Sequence, residues 1–394
     1  MEKVRYGIIG LGNQGAYYAL QLFDAGKIAN AVLTAGCDNN PVKIESMRAQ
    51  AKNSDIRYFA DYKEMLDSGL CDAVIVATPH YLHPEMAIEC FARKIPVLVD
   101  KPAGVYAKQV REMNEAAEKS GVLFGMMFNQ RTNGLYRKMR ELYLAGEIGA
   151  LQRVHWMITD WFRTQNYYDS GSWRATWAGE GGGVLINQCP HQLDLLGWVL
   201  NEQPASVCGF CAYGKWHDIE VEDEVTAFLT FASGATGTFI TTTGEAPGEN
   251  RFEIMGTKGK LLCEDGKLTL YRNEQDSQKF SATATSGFAM PACTVTEVQT
   301  DGDNPQHAGI IQNFTNALLG KEKLFVDGKE GIAGVRLMNA IELSGWRGGE
   351  KVELPVSEDE YLRELNKRRA VSRQKQGNDD QIESTAATFG SGAK

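Results

Sequence analysis

The stretch "VRYGIIGLGNQGAYYAL", residues 4–20, limits the fold more than any other part of the sequence. It runs from a β-branched apolar segment through closely spaced glycines into apolar positions at helical spacing, Ala16, Ala19 and Leu20, a pattern that Phe23 continues. A strand that is apolar along its whole length is buried on both faces. The alternation continues through "AVLTAGCD" (31–38), "DAVIVATP" (72–79), "PVLVDKP" (96–102) and "LFGMMFNQ" (123–130), with helical patterns between them. Strands alternating with helices predict an α/β fold with a doubly wound parallel sheet, whose ligands sit outside the carboxyl ends of its strands.

Within that frame, Gly10-Leu11-Gly12-Asn13-Gln14-Gly15 has the spacing of the Rossmann dinucleotide-binding turn, placed between strand and helix as the motif requires. Gly10 permits the turn, Gly12 leaves room for a pyrophosphate at the helix N-terminus, and Gly15 lets helix and strand pack closely. Asn13 and Gln14 are expected to contact the cofactor from the same turn. Asp38 ends the second strand, with Asn39 beside it, where an acid accepts hydrogen bonds from an adenosine ribose. A carboxylate there repels a 2′-phosphate, so NAD rather than NADP is the expected cofactor.

After about residue 150 the pattern changes to short strands separated by turn residues, among them "LQRVHWMITDWF", "ASVCGFCAYG", "VTAFLTFASG" and "ATGTFITTTG". Several alternate apolar and polar, the mark of an antiparallel sheet with one face buried. Two helical patterns follow, around 305–319 and 329–344, and "SEDE" from Ser357 offers a capping box for a last surface helix. The chain of 394 residues therefore divides into a Rossmann domain at 1–130, an α+β domain with a large, mostly antiparallel, open-faced sheet at 131–356, and a charged helix and tail at 357–394. Beyond about residue 374 the tail is polar and poor in core residues, and is expected to be mobile.

A net charge of −9, with no dense basic block before the tail, argues against a nucleic-acid or anionic-membrane partner. No apolar run is long enough to span a bilayer, and the N-terminus lacks the layout of a secretory signal. Eight scattered cysteines then suit free thiols in a reducing, cytoplasmic setting. Cys208 and Cys211 form one C-x-x-C without the second pair of a zinc site. No second histidine stands at ligand spacing from His191, so no metal is expected.

Further motifs follow one another in order: Ala77-Thr78-Pro79 with His83 soon after, then Asp100-Lys101-Pro102, then Asn129 with Arg131. Gly181-Gly182-Gly183 come next, followed by Asn187, His191 and Asp194. Over about residues 4–356 this ordered set resembles the glucose–fructose oxidoreductase, inositol dehydrogenase and MocA (Gfo/Idh/MocA) family. The resemblance implies NAD-dependent oxidation of a sugar or polyol, and a homodimer or homotetramer formed through the open sheet. It implies cofactor contacts at Thr78, Pro79, His83, Asp100, Lys101 and Asn129. Two positions depart from the pattern: Asp100 stands where glutamate is usual, and Asn187 where aspartate is usual. A neutral amide cannot stabilise an imidazolium as a carboxylate does.

Oxidising a secondary alcohol requires a base within hydrogen-bond reach of the hydroxyl. A free lysine, with a pKa of about 10.4, is too basic near neutrality, but burial and a cationic nicotinamide ring both lower it. Lys101 is therefore the expected acid–base group, and His191 its partner in proton transfer or in polarising the reacting oxygen. The i, i+4, i+7 spacing predicts one helix face for Asn187, His191, Asp194 and Trp198, with Asn187 and Asp194 orienting substrate hydroxyls or the imidazole. The glycines before them are expected to bring the backbone close to cofactor and substrate. Substrate contacts are expected from Arg131 and, in the aromatic stretch 160–180, from Asp160, Arg163, Tyr168 and Trp173, with Arg174 on the cofactor. That stretch equally fits a subunit interface. His155 and His217 lie in strand-like patterns and read as structural or exposed, and His307 begins a helix and reads as a first-turn residue. The expected reaction is oxidation of a ring secondary hydroxyl of a sugar or glycoside. Its alternatives are an inositol dehydrogenase, a glycosidase that oxidises its sugar transiently, and a non-catalytic NAD-binding sensor or scaffold.

Overall fold

The computed structural model describes residues 3–375 and residue 377. Six strands form the first sheet: β1 (Val4–Ile9), β2 (Ala31–Cys37), β3 (Arg57–Phe59), β4 (Ala73–Val76), β5 (Val97–Val99) and β6 (Phe124–Met126). Their order is β3-β2-β1-β4-β5-β6, and every pair is parallel. Strands β4 and β5 are buried along their whole length, because helices cover both faces of the sheet. The order reverses between β1 and β4, and the crevice at their carboxyl ends is where such a sheet binds ligands.

Nine strands form the second sheet: β7 (Leu151–Ile158), β8 (Ser206–Tyr213), β9 (Glu222–Thr230), β10 (Thr236–Thr242), β11 (Asn250–Gly256), β12 (Gly259–Glu264), β13 (Lys267–Asn273), β14 (Cys293–Val298) and β15 (Val352–Glu353). The order is β14-β13-β12-β11-β7-β10-β9-β8-β15, antiparallel except where β10 runs parallel to β7. One face is packed: Trp156 stacks on Phe252 with ring centroids 4.0 Å apart, and both rings are fully buried. The other face is open, with Phe210 and Phe228 at 60% and 45% exposure. Cys208 and Cys211 are three apart in β8 and so point to opposite faces, and both are free thiols.

The later helices return to the first sheet. Helix Gln306–Leu318 lays Phe314 against Gly125 of β6, and its Thr315 hydroxyl hydrogen-bonds the Tyr6 hydroxyl at 2.8 Å. Helix Glu358–Arg369, capped by Ser357, pairs Glu358 with Arg111 and Asp359 with Lys108 on helix Ala107–Ser120. A boundary near residue 130 therefore separates the two sheets but not the packing. Among the described residues no helix is long and apolar enough to cross a membrane.

Most of the tail expected to be mobile lies outside the described residues. Its first part is docked: Lys375 Nζ donates to the Tyr168 carbonyl at 2.6 Å, and the Arg373 amide donates to Glu220 at 2.8 Å. Lys375 thus ties down the stretch 160–180 through the Tyr168 and Arg174 carbonyls.

Candidate active site

The glycine turn after β1 shows three distinct spatial demands. Gly10 has φ of +93°, and a Cβ there would stand 2.5 Å from the Ala77 carbonyl oxygen. A Cβ on Gly15 would stand 1.8 Å from the Gly10 carbonyl oxygen, so helix and strand can approach only without one. A Cβ on Gly12 would meet nothing within 4 Å, and this glycine faces free volume at the helix N-terminus. The Asp38 carboxylate accepts the Leu11 amide at 2.8 Å and the Asn40 amide at 2.9 Å, tying the end of β2 to the turn. Asn39 is exposed beside it, and Asn13 and Gln14 are partly buried in the turn.

Strands β4, β5 and β6 end on the same crevice. Partly buried Thr78 and Pro79 follow β4. Both ring nitrogens of His83 are engaged, with the Thr78 and Pro102 carbonyls, each at 2.7 Å. Asp100 accepts the Lys101 amide at 2.8 Å and the Tyr18 hydroxyl at 3.1 Å, and burial pushes its carboxyl up to about 6 despite the pull of Lys101. The side-chain polar atoms of His83 and Asp100 are engaged by the protein around Lys101. Lys101 reaches across the crevice, and its Nζ donates to the Asn187 carbonyl at 2.8 Å. Burial lowers its pKa below the ordinary lysine value, while the charges of Asp100 and Glu180 oppose that shift. Asn129 hydrogen-bonds Gln306 through its amide nitrogen, and its buried Oδ1 has no partner.

The opposite wall corrects the single-helix expectation. A short helix, Val184–Asn187, ends before a second, Pro190–Leu200, begins. Pro190 has no N–H to continue the first helix and sits well only in a first turn. Asn187 therefore shares no helix face with His191 and Asp194. Asp194 is likewise corrected: it and Arg131 form a buried bidentate pair at 2.6 and 2.8 Å, so neither is free to orient a substrate or the imidazole. His191 packs edge-on against Phe128, with ring centroids 6.3 Å apart, and its Nδ1 has no protein partner. Burial first, then the charge of Lys101, holds its pKa well below the ordinary histidine value.

The glycines before this wall also differ from expectation. A Cβ would fall 2.3 Å from Val105 at Gly181, 2.8 Å from Glu342 at Gly182 and 2.0 Å from the Glu222 carbonyl oxygen at Gly183. These glycines admit neighbouring protein atoms rather than a ligand.

In the stretch 160–180, Arg174 lies over the rings of Tyr167 and Trp173, at 4.5 and 4.8 Å, and donates to the Tyr167 hydroxyl at 2.8 Å. Arg163 lies over Trp161 and Tyr167, and Trp173 meets His80 edge-on at 5.7 Å. Asp160 has an oxygen without a partner, and burial pushes its carboxyl up to about 6. Tyr168, expected on the substrate, is buried and donates to Thr243 at 2.7 Å.

Four residues were missed. Glu180 is a buried carboxylate bonded to the Asn187 amide. Buried His80 has a free Nδ1, and Tyr167 centres the arginine stack. His307 is buried against Tyr17 and Tyr18, 5.6 Å from each ring, with its pKa pushed down to about 3 by burial. Glu180 stands immediately before the glycine run, His80 immediately after Ala77-Thr78-Pro79 and Tyr167 inside the aromatic stretch, so each adjoined a visible motif, whereas His307 did not.

His80 and Asn129 at the strand ends and His191 on the opposite wall each carry a buried polar atom without a partner, and the volume over Gly12 is open. That combination fits a dinucleotide with a polar ring at one end. The chain belongs to the Gfo/Idh/MocA family of oxidoreductases. Residues 4–128 match the family's NAD-binding Rossmann fold, and residues 136–262 match its C-terminal domain.

Among individual proteins, the chain is similar to 1,5-anhydro-D-fructose reductase of Ensifer adhaerens, with 29% identity over 55% of this chain and 66% of that one. The matched segment thus spans just under two thirds of that relative. Myo-inositol 2-dehydrogenase of Thermotoga maritima is 26% identical over 68% of this chain and 77% of its own. The WlbA dehydrogenase of Chromobacterium violaceum, solved with NADH and UDP-GlcNAcA, superposes with a TM-score of 0.75 at 27% identity, covering 91% of this chain and 97% of that one.

Proposed function

We propose that the protein is an NAD-dependent oxidoreductase that oxidises a ring secondary hydroxyl of a sugar or glycoside, with Lys101 and His191 as its acid–base pair. The observation that carries this reading is Lys101 Nζ, held by the Asn187 carbonyl at 2.8 Å between the two walls of the crevice. Gly10, Gly12, Gly15 and Asp38 would hold NAD, which supplies the hydride acceptor when bound. Burial disfavours the ammonium form of Lys101, so its neutral amine is accessible nearer neutrality and takes the hydroxyl proton as the carbonyl forms. His191 stays neutral, and its unpartnered Nδ1 can hydrogen-bond the reacting oxygen. The stack of Arg163, Tyr167, Trp173 and Arg174 offers aromatic faces and donors to a sugar ring.

An inositol is the second reading, favoured by the likeness to myo-inositol 2-dehydrogenase. The open sheet face, with Phe210 and Phe228, supports a homodimer or homotetramer, and the free thiols suit a reducing compartment such as the cytoplasm. The test is a spectrophotometric screen of glycosides, free sugars and inositols with NAD. NADH formation from at least one ring-hydroxyl donor is expected. No NADH from any of them, with a protein that binds NAD, would overturn the reading.

A further inference from the structure

Asn187 sits where Lys101 is anchored, yet its side chain carries no charge. Its amide is fixed at both ends: Nδ2 donates to Glu180 Oε1, and Oδ1 accepts the Tyr167 hydroxyl at 3.3 Å. Arg174 and Gln188 in turn donate to that hydroxyl, at 2.8 and 3.2 Å. The other Glu180 oxygen accepts the Ala175 amide at 2.6 Å, and the residue is 2% exposed. An aspartate at 187 would set two buried carboxylates side by side, and both could not remain ionised. The amide at 187 is thus the partner that an acid at 180 demands.

We propose that Glu180 is the positioning acid of this site. Through the Asn187 amide it holds the carbonyl that receives the lysine, and it supplies the negative charge facing Lys101 from the substrate wall. Lys101 is faced by Asp100 from its own strand end, by Glu180, Arg163, Arg174 and Cys189 from the opposite wall, and by His80, His83, His191 and His307 around the crevice. Without Glu180 the two arginines act against Lys101 with Asp100 opposing them from its own strand end. A nearby negative charge favours the ammonium, so its removal shifts the lysine titration to lower pH.

The inference rests on Lys101 as the base, but its test needs no turnover. Lys101 is labelled competitively with an amine acylating reagent across pH in the resting full-length protein, and labelling is read by mass spectrometry. Glu180→Gln should move the inflection down by about one pH unit. The double variant Glu180→Gln/Asn187→Asp, which returns the charge one side chain away, should restore it. An unchanged inflection in Glu180→Gln overturns the proposal, as does a double variant that fails to restore it. If Glu180→Gln does not fold, the double variant decides alone: coincidence with wild type supports the proposal, and a lower inflection contradicts it. Loss of sugar oxidation with these inflections intact would instead count against the proposed activity.

Discussion

A Cβ added at Gly12 meets nothing within 4 Å, whereas one added at Gly183 stands 2.0 Å from the Glu222 carbonyl oxygen. Both residues belong to glycine runs, one before each wall of the crevice, and sequence alone suggests the same purpose for both. In the first run, Gly10 and Gly15 are crowded by the protein and Gly12 is left open between them. In the second, all three glycines are crowded, and Glu222 accepts the amides of Gly183 and Leu185 at 2.9 and 3.1 Å. The first run makes room for a ligand, and the second fits a turn onto buried carboxylates. A missing side chain says that something comes close, and only the packing says what.

This contrast can be broken by substitution. Gly15→Ala, at 1.8 Å from a backbone oxygen, should cost about 4 kcal/mol in urea unfolding and abolish NAD binding with it. Gly183→Ala should cost about 3 kcal/mol, with a lower Tm whether or not NAD is present. Gly12→Ala should change stability by less than about 0.5 kcal/mol yet weaken NAD roughly tenfold to a hundredfold by calorimetry. If Gly12→Ala melts early, or Gly183→Ala melts like wild type, the contrast is wrong. The smallest effect is expected at Lys375. Lys375→Ala removes donors to the Tyr168 and Arg174 carbonyls and should loosen residues 160–180 by about 1 kcal/mol. Faster hydrogen exchange there, with NAD affinity unchanged, is the check.

The first wall was legible because each of its demands has a local signature. Apolar strands, glycine spacing and the acid after β2 all act over a few residues. The second wall was legible only as a set of residue types. Pro190 splits what the 3.6-residue period joins, so Asn187 leaves the face of His191. Asp194 finds Arg131, and Tyr168 finds Thr243, across separations of 63 and 75 residues that no local pattern records. The charge absent at Asn187 stands at Glu180, brought beside it by the turn of the glycine run. His307 joins the crevice because its helix folds back onto the first sheet, which the division of the sequence near residue 130 concealed.

The central claim is that Lys101 removes the substrate proton, and the most direct measurement compares wild type with Lys101→Met on the best donor from the screen. Oxidation by wild type should rise with pH through an inflection below the ordinary lysine value and be lost as pH falls and the amine is protonated. Lys101→Met should still bind NAD, lose that pH dependence, and show kcat lower by about a thousandfold. A Lys101→Met protein that forms NADH at the wild-type rate with the wild-type pH profile would contradict the claim.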